Sequence, residues 1–251
     1  MIDKVDIGNV LFLDIETVSN KHHYSEMDPA LQTLWQTKSK QILRRYDDPP
    51  TEEEAAELYP EKAGIYAEFG KIVCISVGSV RRDKETKELH VRLKSFASAD
   101  EVEVLQLFSQ LIQQHYNNTS KYFICGHNIR EFDIPYICRR MVINSLPLPE
   151  ALNLAGKKPW ETKHLLDTLE LWKFGDYKHY TSLKLLAAIL GFPSPKDDID
   201  GSEVGRVFWE EDALPRISRY CEKDVLATVQ LFLRYQRKPL LTDEQVTHVG
   251  M

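Results

Sequence analysis

Two acidic residues end an apolar run in the segment LFLDIETVS, residues 11–19. Successive side chains of an extended strand point to opposite faces, so Asp14 and Glu16 share one face while Ile15 points into the opposite layer. Two like charges held this close destabilise each other unless a cation lies between them, and hard divalent cations bind carboxylate oxygens. The segment therefore predicts a metal site at the end of a buried strand.

Two later segments carry polar residues that suit the same chemistry. The predicted strand KYFIC leads into GHNIREFDIPYICRR, which puts Asn128 and Asp133 after a strand and at the start of a helix. The helix dipole favours an acid there, and open α/β sheets bind their ligands at this edge. The segment YCEKD places Tyr220 and Asp224 four residues apart on one helix face, where a phenol and a carboxylate can hold a water between them.

The same short patterns recur in contexts that do not suit a site. The D-x-E-T pattern recurs at Asp83-Lys84-Glu85-Thr86, which follows two arginines and has the composition of a hairpin turn. The tyrosine–aspartate spacing recurs at Tyr24 and Asp28, directly before Pro29. Of these occurrences, only Asp14–Thr17 and the Tyr220–Asp224 pair fall at a predicted sheet edge or on a predicted helix face. The combination, rather than any single motif, indicates an active site.

The elements that must position these residues follow from alternation and from apolar runs. Strands are predicted near Val10 to Ile15, Lys71 to Val80, Glu88 to Lys94 and Lys121 to Cys125, the second and third forming a hairpin. Helices are predicted after Asp100 and at about Phe132 to Ile143, Ser182 to Leu190 and Leu214 to Gln236. This order indicates an α/β layer fold in which helices flank a mixed sheet.

Residues 20–69 interrupt this pattern and predict a small helical insertion at one edge of the sheet. Thr51 and Glu54 have the spacing of a capping box at the start of a short helix. The insertion is either a lid or clamp over a substrate, or a solvated addition that packs Trp35, Leu34 and Leu58 onto the core; the second interpretation is favoured. The chain from residue 1 to 251 is expected to be a single domain with a loose tail at about 242–251.

Composition narrows the class of protein. The chain has 251 residues, 43% of them hydrophobic, enough for one large core. A net charge of −6 argues against coating nucleic acid by charge alone, although two bound divalent cations would change it to −2. The four cysteines stand singly and are expected to be reduced core residues. With no leader-like start and no apolar run of about 18 residues, we expect a soluble, cytoplasmic protein without membrane partners.

The segments FLDIETVS, GHNIREFDIPY and YCEKDVLATVQLFLRY resemble the three motifs of the DEDD-type 3′-5′ exonucleases, tyrosine subclass. The closest likeness is to bacterial proteins related to the proofreading exonuclease domain of family B DNA polymerases, over about residues 9–237 without the insertion. It implies a ribonuclease H-like fold and two Mg²⁺ or Mn²⁺ ions. By this likeness Asp14 would bridge both ions. Glu16 and Asp224 would complete the coordination of the ion on the side of the attacking water, and Asp133 would bind the other ion.

The resemblance also implies roles beyond the four acids. The histidine subclass has a histidine at the position of Tyr220, whose phenol, with an ordinary pKa of about 10, is better suited to orient a water than to deprotonate it. Thr17 could receive the terminal 3′-hydroxyl. Asn128 and Phe132 could hydrogen-bond or stack on the last nucleotides, although Phe132 is equally a candidate core side chain. Lys178, His179 and Tyr180 could touch phosphates, but a solvated loop is the favoured interpretation.

These features predict a metal-dependent 3′-5′ exonuclease that removes nucleoside 5′-monophosphates from the single-stranded 3′ ends of DNA by a two-metal mechanism. It would be freestanding or work for a protein partner that the sequence does not identify. One alternative is a 3′-5′ exoribonuclease, since metals and phosphates do not distinguish the sugar. Another is a non-catalytic scaffold that binds nucleic acid or a partner, against which the four acids and Tyr220 argue.

Overall fold

The computed structural model describes residues 2–176, 180–194 and 198–250. Within these ranges a six-stranded mixed sheet has the order β5-β4-β1-β2-β3-β6. The antiparallel strands β1, β2 and β3 follow one another in space, β4 and β5 extend the sheet in parallel beside β1, and β6 lies parallel to β3. The strands are β1 (Val10–Ser19), β2 (Gly70–Arg82), β3 (Leu89–Ala97), β4 (Phe123–Gly126), β5 (Leu165–Asp167) and β6 (Val246–His248).

Helices cover both faces of the sheet, and all four that the sequence predicted in the main body are confirmed. The α-helices are α1 (Pro29–Leu43), α2 (Glu52–Lys62), α3 (Glu101–Leu111), α4 (Asp133–Ile143), α5 (Thr168–Lys173), α6 (Leu183–Leu190), α7 (Val204–Trp209) and α8 (Leu214–Tyr235). The sequence did not predict α5 and α7, because six residues are too few to show a helical period. Among the described residues, no helix combines the length and the apolar character that a membrane span needs.

The central strand β1 is buried on both faces, which explains why its sequence is an apolar run rather than an alternation. Leu11, Leu13 and Ile15 belong to the core cluster under α3 and α4. Val10 and Phe12 pack on the other face with residues of α8, and the rings of Phe12 and Phe232 meet edge to face at 5.4 Å. The even-numbered positions of β1 therefore face α8. This mixed sheet between two helical layers is the ribonuclease H-like fold that the sequence predicted.

A buried ion pair fixes α4 against the sheet. The Glu101 carboxylate accepts hydrogen bonds from Arg140 at 2.6 and 2.8 Å and from the Ile72 backbone N–H at 2.7 Å. Arg140 also donates to the carbonyl of Ala67, at the end of the insertion. Removing one partner of such a pair leaves an uncompensated buried charge, which costs about 3–5 kcal/mol. The pair therefore fixes the helix that begins at Asp133.

The insertion has its own small core. Trp35 of α1 and Tyr59 of α2 meet edge to face at 5.4 Å, and the Trp35 indole donates to the Ala55 carbonyl at 2.7 Å. The capping box of Thr51 is confirmed. The expected packing of Leu34 on the core is wrong: the side chain is 56% exposed, since it precedes Trp35 by one position and lies on another face of α1.

The expectation of a loose C-terminal tail is also wrong. Val246–His248 forms β6, whose residues pair with Val91, Arg92 and Leu93 of β3. His248 Nδ1 lies 2.5 Å from a carboxylate oxygen of the buried Glu222. The segment satisfies backbone groups that the edge of β3 would otherwise leave unpaired. Three residues are too few to reveal such a strand by alternation.

The recurring patterns lie where the sequence suggested. Asp83 accepts hydrogen bonds from the backbone of Glu85 and Thr86 in the exposed turn between β2 and β3. Tyr24 is buried in the insertion, and Asp28 caps the first turn of α1. Neither pattern contributes to the cleft described below.

Candidate metal centre

The two acids of β1 share one face, as their spacing predicted. Asp14 pairs with Ser76 of β2 and Glu16 with Cys74, and the register shifts between Glu16 and Thr17. Glu16 is buried, Asp14 is partly exposed, and Ile15 lies in the opposite core layer. The strand thus directs both carboxylates toward α8.

Asp14 and Glu16 lie in the middle of β1, not at the end of the strand as the sequence predicted, because β1 continues to Ser19. Two helices bring the other acids to this part of the strand. Asp133, the first residue of α4, is buried, and the Ile15 backbone N–H partly offsets the rise in pKa that burial causes. Tyr220 and Asp224 lie one turn apart in α8, and the Asp224 carboxylate contributes to the raised pKa of the Tyr220 phenol. The late tyrosine–aspartate pair therefore faces the acids of β1.

All five side chains line one cleft of about 460 Å³. The cleft lies between the middle of β1, the start of α4, the start of α6 and the second and third turns of α8. Its lining consists of Asp14, Ile15, Glu16, His127, Asn128, Phe132, Asp133, Tyr180, Ser182, Leu183, Lys184, Gly201, Tyr220 and Asp224.

The acids repel one another across the cleft. Burial raises the pKa of Asp14 well above its ordinary value, and the charges of Asp224, Asp133 and Glu16 raise it further, in that order. Burial likewise raises the pKa of Asp133 to about 7. Without a cation, the cluster would bind protons instead of keeping four negative charges.

The phenol of Tyr220 remains a neutral donor. Burial raises its pKa above the ordinary value, and the neighbouring charges of Asp224, Glu16 and Asp14 add to this effect. Ionisation of the phenol would place one more negative charge beside these carboxylates. The geometry thus favours orientation of a water by Tyr220 over abstraction of its proton.

The donor set fits a divalent cation. One ligand atom each from Asp14, Glu16 and Cys221 lie within 4.8 Å of one another. The two carboxylates supply hard oxygen ligands of the kind that Mg²⁺ and Mn²⁺ prefer, and the charges of Asp133 and Asp224 add to the attraction. Asp14 and Glu16, in the middle of β1, therefore belong to a candidate acidic metal-binding cluster.

The sequence did not predict the position of Cys221. The four cysteines are free, as expected, and Cys74, Cys125 and Cys221 are buried, whereas Cys138 is only partly buried. The Cys221 thiol, however, lies 3.4 Å from the Asp14 carboxylate rather than in purely apolar surroundings. Burial raises the pKa of this thiol well above its ordinary value, so it stays protonated and donates to Asp14.

Asp167 at the end of β5 is a second residue that the sequence analysis did not identify. Its buried carboxylate accepts hydrogen bonds from the backbone N–H groups of Asn128, Arg130 and Leu169. It thereby caps α5 and fixes the turn that leads to Asp133. The available signal was an acid after the short apolar run HLLD.

The predicted substrate-binding residues have different surroundings. Asn128 lines the cleft. Its backbone has a φ of 68°, a conformation that asparagine tolerates better than most residues, so Asn128 also has a structural role in this turn. Phe132 packs partly on the core and also lines the cleft. Thr17 lies beyond the carboxylates, in a smaller extension of the cleft. The exposed Tyr180 borders the cleft, whereas Lys178 and His179 lie outside the described residues.

Comparison with known families agrees with this geometry. Residues 65–247 match a family described as predicted 3′-5′ exonucleases related to the exonuclease domain of PolB, and the chain belongs to that family. The match contains Asp133, Tyr220 and Asp224 and begins after the strand with Asp14 and Glu16. Exonuclease domains of this kind use divalent metals, in agreement with the acidic cluster. No curated protein matches the chain significantly.

Among solved structures, the chain is similar to the family B DNA polymerase from the hyperthermophilic archaeon Pyrobaculum calidifontis. The TM-score is 0.55 at 16% sequence identity, and the similarity covers 90% of this chain. The chain corresponds to only 24% of the polymerase. At this identity the similarity shows the shared fold.

The repulsion at Asp14 predicts opposite effects of one substitution with and without metal. In EDTA, Asp14→Asn should raise the melting temperature, because it removes a carboxylate whose negative charge three other carboxylates disfavour. Mn²⁺ at about 100 times its Kd should raise the melting temperature of the wild type by about 5–10 °C and that of the variant much less. Differential scanning calorimetry measures both.

Asp83→Asn, in the exposed turn that repeats the D-x-E-T pattern, is the matched control and should keep the full Mn²⁺ shift. An equal Mn²⁺ shift in Asp14→Asn would contradict the assignment of the metal centre.

Proposed function

We propose that this protein is a DEDD-type 3′-5′ exonuclease of the tyrosine subclass that removes nucleoside 5′-monophosphates from single-stranded DNA 3′ ends. One observation carries the proposal: acids from β1, α4 and α8 line one cleft together with the phenol of Tyr220. A structural role gives no reason to hold four acids around one cleft. The family match supports the nuclease class.

Asp14, Glu16, Asp133 and Asp224 would hold two Mg²⁺ or Mn²⁺ ions. Asp14 is the candidate for the shared ligand, because the charges of the other three all act on it. Such ions would stabilise the negative charge that develops on the phosphate and make a water more acidic. Only with such ions bound would the four carboxylates accept the negatively charged scissile phosphate beside the middle of β1.

Tyr220 would aim the attacking water. Its neutral hydroxyl, one helical turn from Asp224, would donate to that carboxylate and accept a hydrogen bond from a water. The water would thereby be held beside Asp224, on the α8 side of the phosphate. Thr17 would bind the terminal 3′-hydroxyl, while Phe132 and Asn128 would contact the last bases.

The direct test uses 5′-labelled DNA and RNA oligonucleotides of equal sequence, single-stranded and duplex, with Mg²⁺, Mn²⁺ or EDTA. We expect a ladder that shortens from the 3′ end, nucleoside 5′-monophosphate products, a preference for single-stranded DNA and no activity in EDTA. Asp14→Ala should abolish cleavage. Shortening from the 5′ end, or full activity in EDTA, would refute the proposal. Faster degradation of RNA would assign the same site to an exoribonuclease.

A second prediction separates the aiming of water from the binding of metal. Tyr220→Phe keeps the buried ring and all four carboxylates, so the melting temperature and oligonucleotide affinity should stay close to wild type. The loss should appear in kcat, by about 10²- to 10⁴-fold, the usual contribution of an orienting or proton-transferring group. Single-turnover kinetics and binding titrations measure the two effects.

Tyr24→Phe is the control, because this tyrosine has the same spacing to an acid but its hydroxyl contacts Gln32 and Gln36 within the insertion. It should leave kcat unchanged. A Tyr220→Phe enzyme as fast as wild type would show that the phenol has no role in turnover.

A further inference from the structure

A row of polar side chains crosses the sheet beneath α8. Asp14 of β1 pairs with Ser76 of β2, and Ser76 pairs with Ser95 of β3, so the three side chains are cross-strand neighbours on one face of the sheet. The hydroxyl oxygens of Ser76 and Ser95 are 2.8 Å apart, and the Ser95 hydroxyl donates to the Glu222 carboxylate at 2.9 Å. The row therefore connects a candidate metal ligand with a buried acid of α8.

Two consecutive residues of α8 contact the two ends of this row. The Cys221 thiol lies 3.4 Å from the Asp14 carboxylate, and the Glu222 carboxylate accepts the hydrogen bond from Ser95. Hydrogen bonds are directional, and a buried polar network whose members are all paired holds its elements in one arrangement. The two contacts therefore fix the rotation of α8 about its axis. The same part of α8 carries the phenol and the carboxylate that line the cleft.

Glu222 depends on a second partner. Its side chain is 1% exposed, and an acid is almost never buried this deeply unless it is paired. Within the described residues, one oxygen of its carboxylate accepts from Ser95, and the other lies 2.5 Å from Nδ1 of His248 in β6. Without the imidazole, this second oxygen would be buried with no hydrogen bond, which is unfavourable. His248 therefore completes the set of partners that keeps Glu222 in place.

The contact is a property of the imidazole and not of the strand. β6 pairs with β3 through backbone groups, which any residue other than proline supplies. The His248 side chain is 44% exposed, yet its Nδ1 atom is directed at the buried carboxylate in α8. His248 does not line the cleft, so any influence on the carboxylates there must act through α8.

We propose that His248 is a positioning residue for the candidate metal centre: through Glu222 it fixes the rotation of α8 and thereby places Tyr220 and Asp224 against Asp14. The inference rests on the proposed exonuclease site and extends the machinery of that site to the C-terminal strand. It also gives the buried acid of α8 a function.

The test begins with the loss of the donor. His248→Ala should weaken Mn²⁺ binding by about tenfold and lower kcat at saturating Mn²⁺ by a similar factor, since residues behind metal ligands contribute about 10- to 100-fold. The KM for a single-stranded oligonucleotide should stay unchanged, because no contact with the substrate is lost. Isothermal titration calorimetry measures the Mn²⁺ affinity, and steady-state kinetics separate kcat from KM.

Three further variants at β6 serve as rescue and controls. His248→Asn has a side-chain N–H that can take the place of Nδ1–H, and it should restore most of the Mn²⁺ affinity and kcat. His248→Phe keeps a ring but has no donor; it should match His248→Ala and replaces it if the smaller side chain unfolds the strand. Thr247→Ala, at the neighbouring exposed position, should keep wild-type values.

A double-mutant cycle with Glu222→Gln distinguishes positioning through Glu222 from support of the sheet edge. His248→Ala should lower kcat about tenfold in the wild-type background and about twofold or less in the Glu222→Gln background. Equal losses in both backgrounds, or unchanged Mn²⁺ affinity and kcat in folded His248→Ala, would overturn the proposal. If the wild type cleaves no oligonucleotide, the exonuclease proposal fails, and the Mn²⁺ affinities of the same variants decide separately on the role of His248.

Discussion

The mutual repulsion of carboxylates around Asp14 is the constraint on which the rest of the structure depends. Each acid lies on a strand or helix whose position is set by packing contacts outside the acidic cluster. Apolar packing on both faces positions β1, the buried Glu101–Arg140 pair fixes α4, and α8 packs along the sheet through its apolar side. The large apolar core thus offsets an arrangement that is locally unfavourable without cations. Bound divalent cations would convert this repulsion into attraction.

Local rules were sufficient for the residues whose orientation depends on one element. The alternation of a strand fixed the common face of Asp14 and Glu16, and the spacing of a helix fixed that of Tyr220 and Asp224. The position of Asp133 followed from the start of a helix after a strand. For these five residues the structure agrees with the geometry that the sequence predicted, and their catalytic roles stay predictions.

Contacts between distant segments could not be read in the same way. Cys221 is directed at Asp14 by the rotation of α8 against β1, which the spacing within the helix does not determine. Asp167 acts through backbone groups about forty positions earlier in the chain, at the end of a strand of only three residues. β6 pairs with β3, which would otherwise be the edge strand of the sheet. Which strand forms that edge is known only once the sheet is assembled. Tertiary context decides each of these cases.

The comparisons and the geometry support different parts of the account. The family match begins at residue 65 and therefore does not include β1, whereas the shared fold with the polymerase, at 16% identity, says nothing about individual side chains. The geometry joins the two, because it brings Asp14 and Glu16 of β1 to the acids within the matched region.

The most direct measurement of the central claim is the anomalous scattering of crystals soaked in Mn²⁺ with a short single-stranded oligonucleotide bound to Tyr220→Phe. We expect two manganese ions in the cleft, both coordinated by Asp14, one also by Glu16 and Asp224 and the other near Asp133. A cleft without manganese, or ions bound only at other acidic residues, would contradict it.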